Sequence, residues 1–175
     1  MIPTIKSNLF ILRPFRKGDE ISLQRNINHK AIYRYTLRIP YPYTIRNANE
    51  WVKSSIAKRP KKHPEVRFAI VIKSEVVGGI GFRDIKNRRA EIGYWLAKKN
   101  WGRGIMTQAV KLVCKFGFRQ LGLRRVYAAV FANNKASARV LEKSGFKYDG
   151  RIKRHYKKDG RLIDALMYAK VKKAK

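Results

Sequence analysis

The sequence predicts a mixed α/β fold with antiparallel strands at both ends of the chain. Short apolar runs of strand length alternate with runs at helical spacing, above all between residues 90 and 145. Near the C-terminus, two apolar runs at 146–152 and 163–171 flank the turn sequence Lys158-Asp159-Gly160, which is typical of a hairpin. Together these observations favour one sheet that is partly covered by helices.

The individual elements follow from the same patterns. A helix is expected after Gly18-Asp19-Glu20, a second from the N-cap Thr44 to Ile56, a third over 105–120, and a fourth over 135–143 that Gly145 ends. A further short helical stretch surrounds residues 31–33, and 58–64 forms a charged loop. The strands, about seven in all, are predicted at 9–13, 66–72, 75–82, 90–97, 125–130, 146–152 and 163–171.

The composition is that of a globular protein. The 175 residues suffice for one domain with a real core, and we expect a single domain over 1–175. No apolar run approaches the roughly 20 residues that cross a bilayer, and the polar N-terminus is unlike a secretory signal. The single Cys114, at helical spacing among apolar residues, is expected to be a small core residue. We therefore expect a cytoplasmic protein without membrane contact.

The net charge is extreme. Lys and Arg number 42 against 11 Asp and Glu, which gives a formal charge of +31. Such a field attracts polyanions and repels polycations. The basic residues are spread along the chain, with local densities at 58–62, 151–158 and 170–175. Two interpretations stay open: a solvated surface shaped by genome composition or by a salty or hot cytoplasm, and contact with RNA or the ribosome.

One loop has the pattern of a phosphate-binding site. Asn100-Trp101-Gly102-Arg103-Gly104-Ile105-Met106 links the predicted strand 90–97 to the helix 105–120. Glycines let backbone N–H groups reach phosphate oxygens, and a helix N-terminus adds partial positive charge. The loop lacks the third glycine of a dinucleotide fingerprint and the Gly-Lys-Ser/Thr of a Walker loop. The alternative is an ordinary turn between strand and helix.

Several segments in order resemble one family. They are Leu12-Arg13-Pro14-Phe15, Pro40-Tyr41-Pro42-Tyr43-Thr44, Ala90-Glu91-Ile92-Gly93-Tyr94-Trp95-Leu96, Trp101-Gly102-Arg103-Gly104, Asn134-Lys135-Ala136-Ser137, and Leu141-Glu142-Lys143-Ser144-Gly145-Phe146. In this order and spacing the chain resembles a Gcn5-related N-acetyltransferase (GNAT) of the ribosomal-protein N-terminal acetyltransferase type, the RimJ/RimL group. The resemblance covers nearly the whole chain.

The resemblance implies a fold and a cofactor site. The implied fold is a mixed, twisted sheet of about seven strands with splayed central strands, flanked by about four helices. Acetyl-CoA would lie in the resulting V, with its pyrophosphate on the glycine loop, its pantetheine paired like an added strand, and its arm bonded to Asn134. The implied cofactor residues are Trp95, Leu96, Ala97, Lys99, Asn100, Trp101, Gly102, Arg103, Gly104, Ile105, Met106 and Asn134.

The catalytic residues follow less directly from the resemblance. Many relatives carry a tyrosine near the leaving sulfur, but here Leu141 stands at that place, and Ser137 matches the serine that serves in the ribosomal-protein type. Glu91 matches a general base of other branches, and His155 lies in the last hairpin, where another branch carries a base. The alternatives are an ordinary helix serine, a carboxylate paired with arginine, and a surface histidine.

The expected activity is transfer of an acetyl group from acetyl-CoA to a primary amine, foremost a protein N-terminus. An N-terminal amine with a pKa of about 8 is roughly 10% neutral at pH 7, whereas a lysine at about 10.4 is far below 1%. Polyamines, aminoglycosides and lysine side chains are the alternative acceptors, and the positive field disfavours polycations. A non-enzymatic alternative is an RNA- or ribosome-binding module on this scaffold. The residues indicate no metal site, and they leave monomer and homodimer open.

Overall fold

The computed structural model describes residues 2–57 and 65–172. The described part contains one eight-stranded sheet and five α-helices, with a short 3-10 turn at Lys98–Asn100. The helices are α1 (Glu20–Ile27), α2 (Lys30–Arg34), α3 (Ile45–Ile56), α4 (Ile105–Gln120) and α5 (Lys135–Lys143). The strands are β1 (Ile5–Lys6), β2 (Ile11–Pro14), β3 (Val66–Ile72), β4 (Glu75–Lys86), β5 (Arg89–Leu96), β6 (Arg125–Phe131), β7 (Lys147–Lys158) and β8 (Arg161–Val171).

The sheet opens in its middle. The strand order is β1-β2-β3-β4-β5-β6-β8-β7, and β5–β6 is the parallel pair. That pairing joins Arg89–Glu91 to 125–127 and goes no further. β5 stays paired with β4 as far as Leu96, and β6 stays paired with β8 as far as Phe131. Because each strand follows its other neighbour, β5 and β6 part beyond Glu91, and the predicted splay of the central strands is confirmed.

The helices cover both faces of this sheet. α4 and α5 pack on one face, where the core includes Val110, Val113 and Leu141. α1 and α3 pack on the other face through a second cluster that includes Leu23 and Val52. Burying these apolar stripes removes them from water, the main favourable term in folding. Two facing layers therefore hold the splayed strands from both sides.

Local signals in the sequence set the helix ends that matter here. Thr44 caps α3 by accepting from the N–H of Asn47, whose side chain accepts from the N–H of Thr44 in return, a reciprocal capping box. α4 and α5 have the predicted bounds, and Gly145 follows α5 with a φ of +83°. Cys114 is 1% exposed in the core, as expected.

The structure corrects several element predictions. Residues 2–57 and 65–172 form eight strands rather than about seven, because the two-residue β1 pairs with β2. The same residues form five helices rather than about four, because the short stretch near residue 31 is the separate helix α2. β7 extends to Lys158 rather than ending at 152, since pairing with β8 holds its strongly basic second half as a strand. The predicted loop 58–64 lies outside the described residues.

No helix in the described ranges combines the length and apolar character needed to cross a membrane.

Candidate active site

A cavity of about 1280 Å³ occupies the gap between β5 and β6. Its wall includes the start of α4, the start of α5, the inner edges of both strands, and part of β7. Residues of α2, α3 and the segment between them also line it. A gap between separating strands is therefore the place where this fold can hold a long ligand.

The glycine loop presents an open cradle at one end of the cavity. Gly102 and Gly104 each have a φ of +73°, a conformation that favours glycine, and a Cβ at either position would meet no heavy atom within 4 Å. Gly104 begins α4 without a side-chain cap. The first helical hydrogen bond runs from Gln108 N–H to Gly104 O, so the N–H groups of Ile105 and Met106 precede it. This arrangement suits an anionic group such as a pyrophosphate.

A buried amide supports the same assignment. Asn100 is 5% exposed and lines the cavity. Its Oδ1 atom has no hydrogen-bond partner among the residues described. A buried acceptor without a donor is costly unless a ligand satisfies it. The pantetheine arm of acetyl-CoA carries amide N–H and hydroxyl donors, so the residues present fit the cofactor that the resemblance implies.

Not every predicted cofactor residue reaches the cavity. Lys99 and Ala97 are absent from its described wall. The ammonium of Lys99 lies 3.4 Å from the carboxylate of Glu75. Arg103 and Trp101 do line the cavity, so Arg103 is the cation that the described structure places next to the glycine cradle.

The open edge of β5 presents backbone groups to the gap. Ala97 N–H donates to Val77 O in β4 at 2.7 Å. Since backbone groups of successive strand residues face opposite sides, those of Tyr94 and Leu96 are directed at the gap. Leu96 O already accepts from the Trp101 indole N–H at 2.7 Å. The Leu96 N–H therefore remains for a ligand, while its carbonyl is shared with Trp101.

Ser137 stands at the start of α5 and is held by two residues. Its N–H donates to Asn134 Oδ1 at 3.1 Å, so Asn134 caps the helix and keeps its amide N–H groups for a ligand. Its hydroxyl oxygen lies 2.8 Å from the hydroxyl oxygen of Tyr94. Burial raises the pKa of Tyr94. Leu141, one turn further along, is fully buried in the core.

Sequence reasoning missed the role of Tyr94 in this arrangement. Its neighbours on the same face of β5, Ile92 and Leu96, are buried core residues. An aromatic residue between two core positions is predicted to be a core residue itself. The neighbouring sequence carries no signal for a hydrogen-bond partner 43 residues later.

Glu91 lines the cavity as half of an ion pair. It is 13% exposed, and its two carboxylate oxygens accept from Arg83, one of them from Nε at 2.9 Å. Burial, and secondarily the charge of Glu91, raise the pKa of the nearby Tyr127 and Tyr156. The guanidinium therefore occupies both oxygens of this carboxylate. This geometry favours the arginine-paired alternative for Glu91 over a general base.

The histidines occupy separate places. His155 is exposed at the mouth of the cavity, with its ring centroid 4.5 Å from that of Tyr156. His29 caps α2 through its Nδ1 atom, which accepts from Ala31 N–H at 3.0 Å. His63 lies outside the described residues. Within 2–57 and 65–172, no group of three or more His, Cys, Asp and Glu side chains is placed to hold a metal ion.

Comparison with known proteins places this geometry in a family. The family model described as "Acetyltransferase (GNAT) domain" matches residues 10–147. The N-acetyltransferase YoaA of Bacillus subtilis, itself uncharacterized, is 30% identical over 176 residues, which cover 98% of each chain. The spermidine N(1)-acetyltransferase of Escherichia coli K12 is 25% identical over 89% of this chain and 82% of its own.

A solved structure agrees over nearly the full length. RimL, a ribosomal L7/L12 alpha-N-protein acetyltransferase in complex with coenzyme A, superposes with a TM-score of 0.86 at 25% identity, covering 97% of this chain and 98% of its own. The splayed strands, the glycine cradle and these matches lead to one conclusion: the chain belongs to the GNAT family and is an N-acetyltransferase that uses acetyl-CoA.

Proposed function

We propose that this enzyme acetylates the N-terminal amine of a protein. The observation that carries the proposal is the state of the carboxylates in the described wall of the cavity. A polycationic acceptor needs carboxylates that are free to receive its ammonium groups. Here all three are bonded to arginine: Glu91 to Arg83, Glu65 to Arg67 and Glu50 to Arg46. An ammonium group of spermidine or an aminoglycoside would therefore have to displace an arginine from each carboxylate of this wall.

The ionisation of the acceptor supports the same choice. Glu91 is engaged with Arg83, and His155 stands at the mouth of the cavity, so neither is placed as a strong base deep inside it. An N-terminal amine, with a pKa of about 8, needs less help to lose its proton than a lysine at about 10.4. The relative that acts on ribosomal L7/L12 is consistent with a protein acceptor, and the relative named for spermidine defines the competing one.

Each part of the site then has a task. Acetyl-CoA supplies an acetyl group that is activated as a thioester. The N–H groups at Gly104, Ile105 and Met106 would hold its phosphates. The Leu96 N–H would donate to the acetyl oxygen, and the Ser137 hydroxyl would give its proton to the departing sulfur.

A competition experiment tests the acceptor. The protein is given acetyl-CoA and an equimolar pool of a serine-initiated peptide with an internal lysine, spermidine and an aminoglycoside, and the products are identified by mass spectrometry. The peptide acetylated at its N-terminus should dominate. If acetyl-spermidine, acetylated aminoglycoside or acetyl-lysine dominates, the proposed acceptor is wrong.

We further propose that the enzyme associates with ribosomal or other RNA through one face of α4. Lys111, Lys115 and Arg119 are exposed and spaced four residues apart, so they share a face. With Lys170 and Lys172 they surround a hollow of about 330 Å³ whose described wall contains no carboxylate. Like charges placed so closely destabilise a helix unless an anion neutralises them, and phosphates are the anions that such a surface attracts.

A charge-reversal pair tests this association. Lys111, Lys115 and Arg119 are changed together to Glu, and a control changes Lys153, Lys157 and Arg161 on the hairpin, which are also exposed. The α4 variant should lose ribosome association in sedimentation. For the RNA binding that remains, the slope of log K against log salt concentration should become shallower by about 2 to 3. Each lost phosphate contact removes about 0.7–0.9 from that slope. Equal losses in both variants would indicate a charge effect that is not specific to α4.

A further inference from the structure

The hydroxyl of Tyr94 is aimed at a single residue across the cavity wall. Tyr94 lies on β5, and its oxygen is 2.8 Å from Ser137 Oγ and 3.3 Å from Ser137 O on α5. The carbonyl can only accept, so Tyr94 is the donor in the 3.3 Å contact, whereas either hydroxyl could be the donor in the 2.8 Å contact. Because burial raises the pKa of Tyr94, its hydroxyl keeps that proton throughout the ordinary pH range.

Ser137 differs from the other helix serines of the described chain. Serine hydroxyls on helices commonly donate to a backbone carbonyl three or four residues back. Three of them do so here, Ser22 to Asp19 O and Ser54 and Ser55 to Trp51 O, and Ser144, which follows α5, donates to Val140 O in the same way. The Ser137 hydroxyl instead contacts Tyr94, while its N–H is held by Asn134. Among the described helix serines, Ser137 is therefore one whose hydroxyl contacts a side chain on the sheet.

We propose that Tyr94 is a positioning residue for Ser137. In the proposed arrangement Tyr94 is the donor in the 2.8 Å contact with Ser137 Oγ, with Ser137 O as a second acceptor, and the serine proton is left free to point at the leaving sulfur. This inference rests on the acid role proposed for Ser137. As the carbon–sulfur bond breaks, the Ser137 O–H bond breaks and an S–H bond forms. The proton that the acceptor amine releases as the amide forms then restores the serine hydroxyl through water, and Tyr94 keeps its own proton throughout.

The rival explanation is a structural one, in which the bond merely fastens α5 to the sheet. The chain offers a matched control for it. Tyr168 of β8 donates to a carboxylate oxygen of Glu142 at 2.9 Å, and so joins the same helix to the sheet outside the cavity wall. Tyr168→Phe removes a tyrosine bond to α5 without touching Ser137.

The experiment is a double-mutant cycle on the intact enzyme, with the acceptor amine that the competition pool identifies. Tyr94→Phe should lower kcat about tenfold and leave the KM for acetyl-CoA within about twofold, as for a loss confined to the chemical step. Tyr168→Phe should keep the parental kcat. The double variant Tyr94→Phe, Ser137→Ala should be no slower than Ser137→Ala alone, because Tyr94 then has no hydroxyl to position. Thermal unfolding of each variant confirms folding.

Each other result overturns the inference. If Tyr94→Phe keeps the parental rate while Ser137→Ala is slow, Tyr94 does not position Ser137, and Ser137 remains the acid. If Tyr94→Phe and Tyr168→Phe lose equal factors in kcat, the Tyr94–Ser137 bond has only a structural role. The same holds if the double variant loses the product of the two single factors. If Ser137→Ala keeps the parental rate, Ser137 is not the acid and Tyr94 is not its positioning residue. The identity of the acetylated product decides the proposed acceptor separately from all of these.

Discussion

Gly104→Ala is expected to weaken coenzyme A binding about 5- to 30-fold while leaving the protein folded. Gly104 has a φ of +73°, where an L-residue pays about 1–2 kcal/mol. A Cβ there meets no heavy atom within 4 Å, so no clash adds to this strain. The free variant relieves the strain by moving the loop, and binding must restore the original conformation. A cost of about 1–2 kcal/mol corresponds to a factor of about 5 to 30 in the dissociation constant.

Gly122→Ala is the matched control. Gly122 has a φ of +63° and equally open space around its Cβ, but it follows the other end of α4. Both variants should remain folded in thermal unfolding, because a Cβ at either position meets no heavy atom within 4 Å. Calorimetric titration with coenzyme A should show weakened binding for Gly104→Ala alone. If Gly104→Ala binds coenzyme A as tightly as the parent, or if Gly122→Ala loses as much affinity, the glycine loop is not the binding site for the coenzyme A phosphates.

Three further predictions concern single side chains. Ser137→Ala should reduce kcat about tenfold or more at nearly constant coenzyme A affinity, as expected for a lost proton donor; an unchanged rate in steady-state kinetics would assign Ser137 to the helix start. Glu91→Gln should lose less than about tenfold in kcat/KM and keep the shape of the pH profile, because Arg83 holds the carboxylate; loss of the acidic limb would make Glu91 the base. Burial raises the pKa of the Cys114 thiol to about 12, so iodoacetamide at pH 8 should label the denatured protein and spare the native one; rapid native labelling, read by mass spectrometry, would contradict that burial.

Features encoded by neighbouring residues could be predicted from the sequence. α4, α5 and β3 have their predicted bounds because capping residues and apolar spacing are local signals. The second half of β7 was missed because its residues are mostly basic and its strand form depends on β8, which comes later in the chain.

In the candidate site, too, features formed by neighbouring residues could be predicted and features formed by distant residues could not. The cradle from Asn100 to Met106 is continuous in sequence, so its glycines and helix start could be recognised together. The pairs Arg83–Glu91 and Tyr94–Ser137 depend on strand register and on how α5 meets the sheet. Sequence reasoning could list an arginine partner for Glu91 only as an alternative, and it gave Tyr94 no role. The pairing of Lys99 with Glu75 likewise follows from tertiary placement.

The acceptor amine can be identified with two peptides that differ only at the N-terminus. Initial rates are measured with acetyl-CoA and two versions of one peptide with an internal lysine, one with a free N-terminal amine and one with that amine formylated. The site described here predicts turnover with the free peptide and loss of most turnover with the blocked one, since the neutral N-terminal amine is the acceptor. Equal rates on the two peptides, with the acetyl group on lysine, would contradict it.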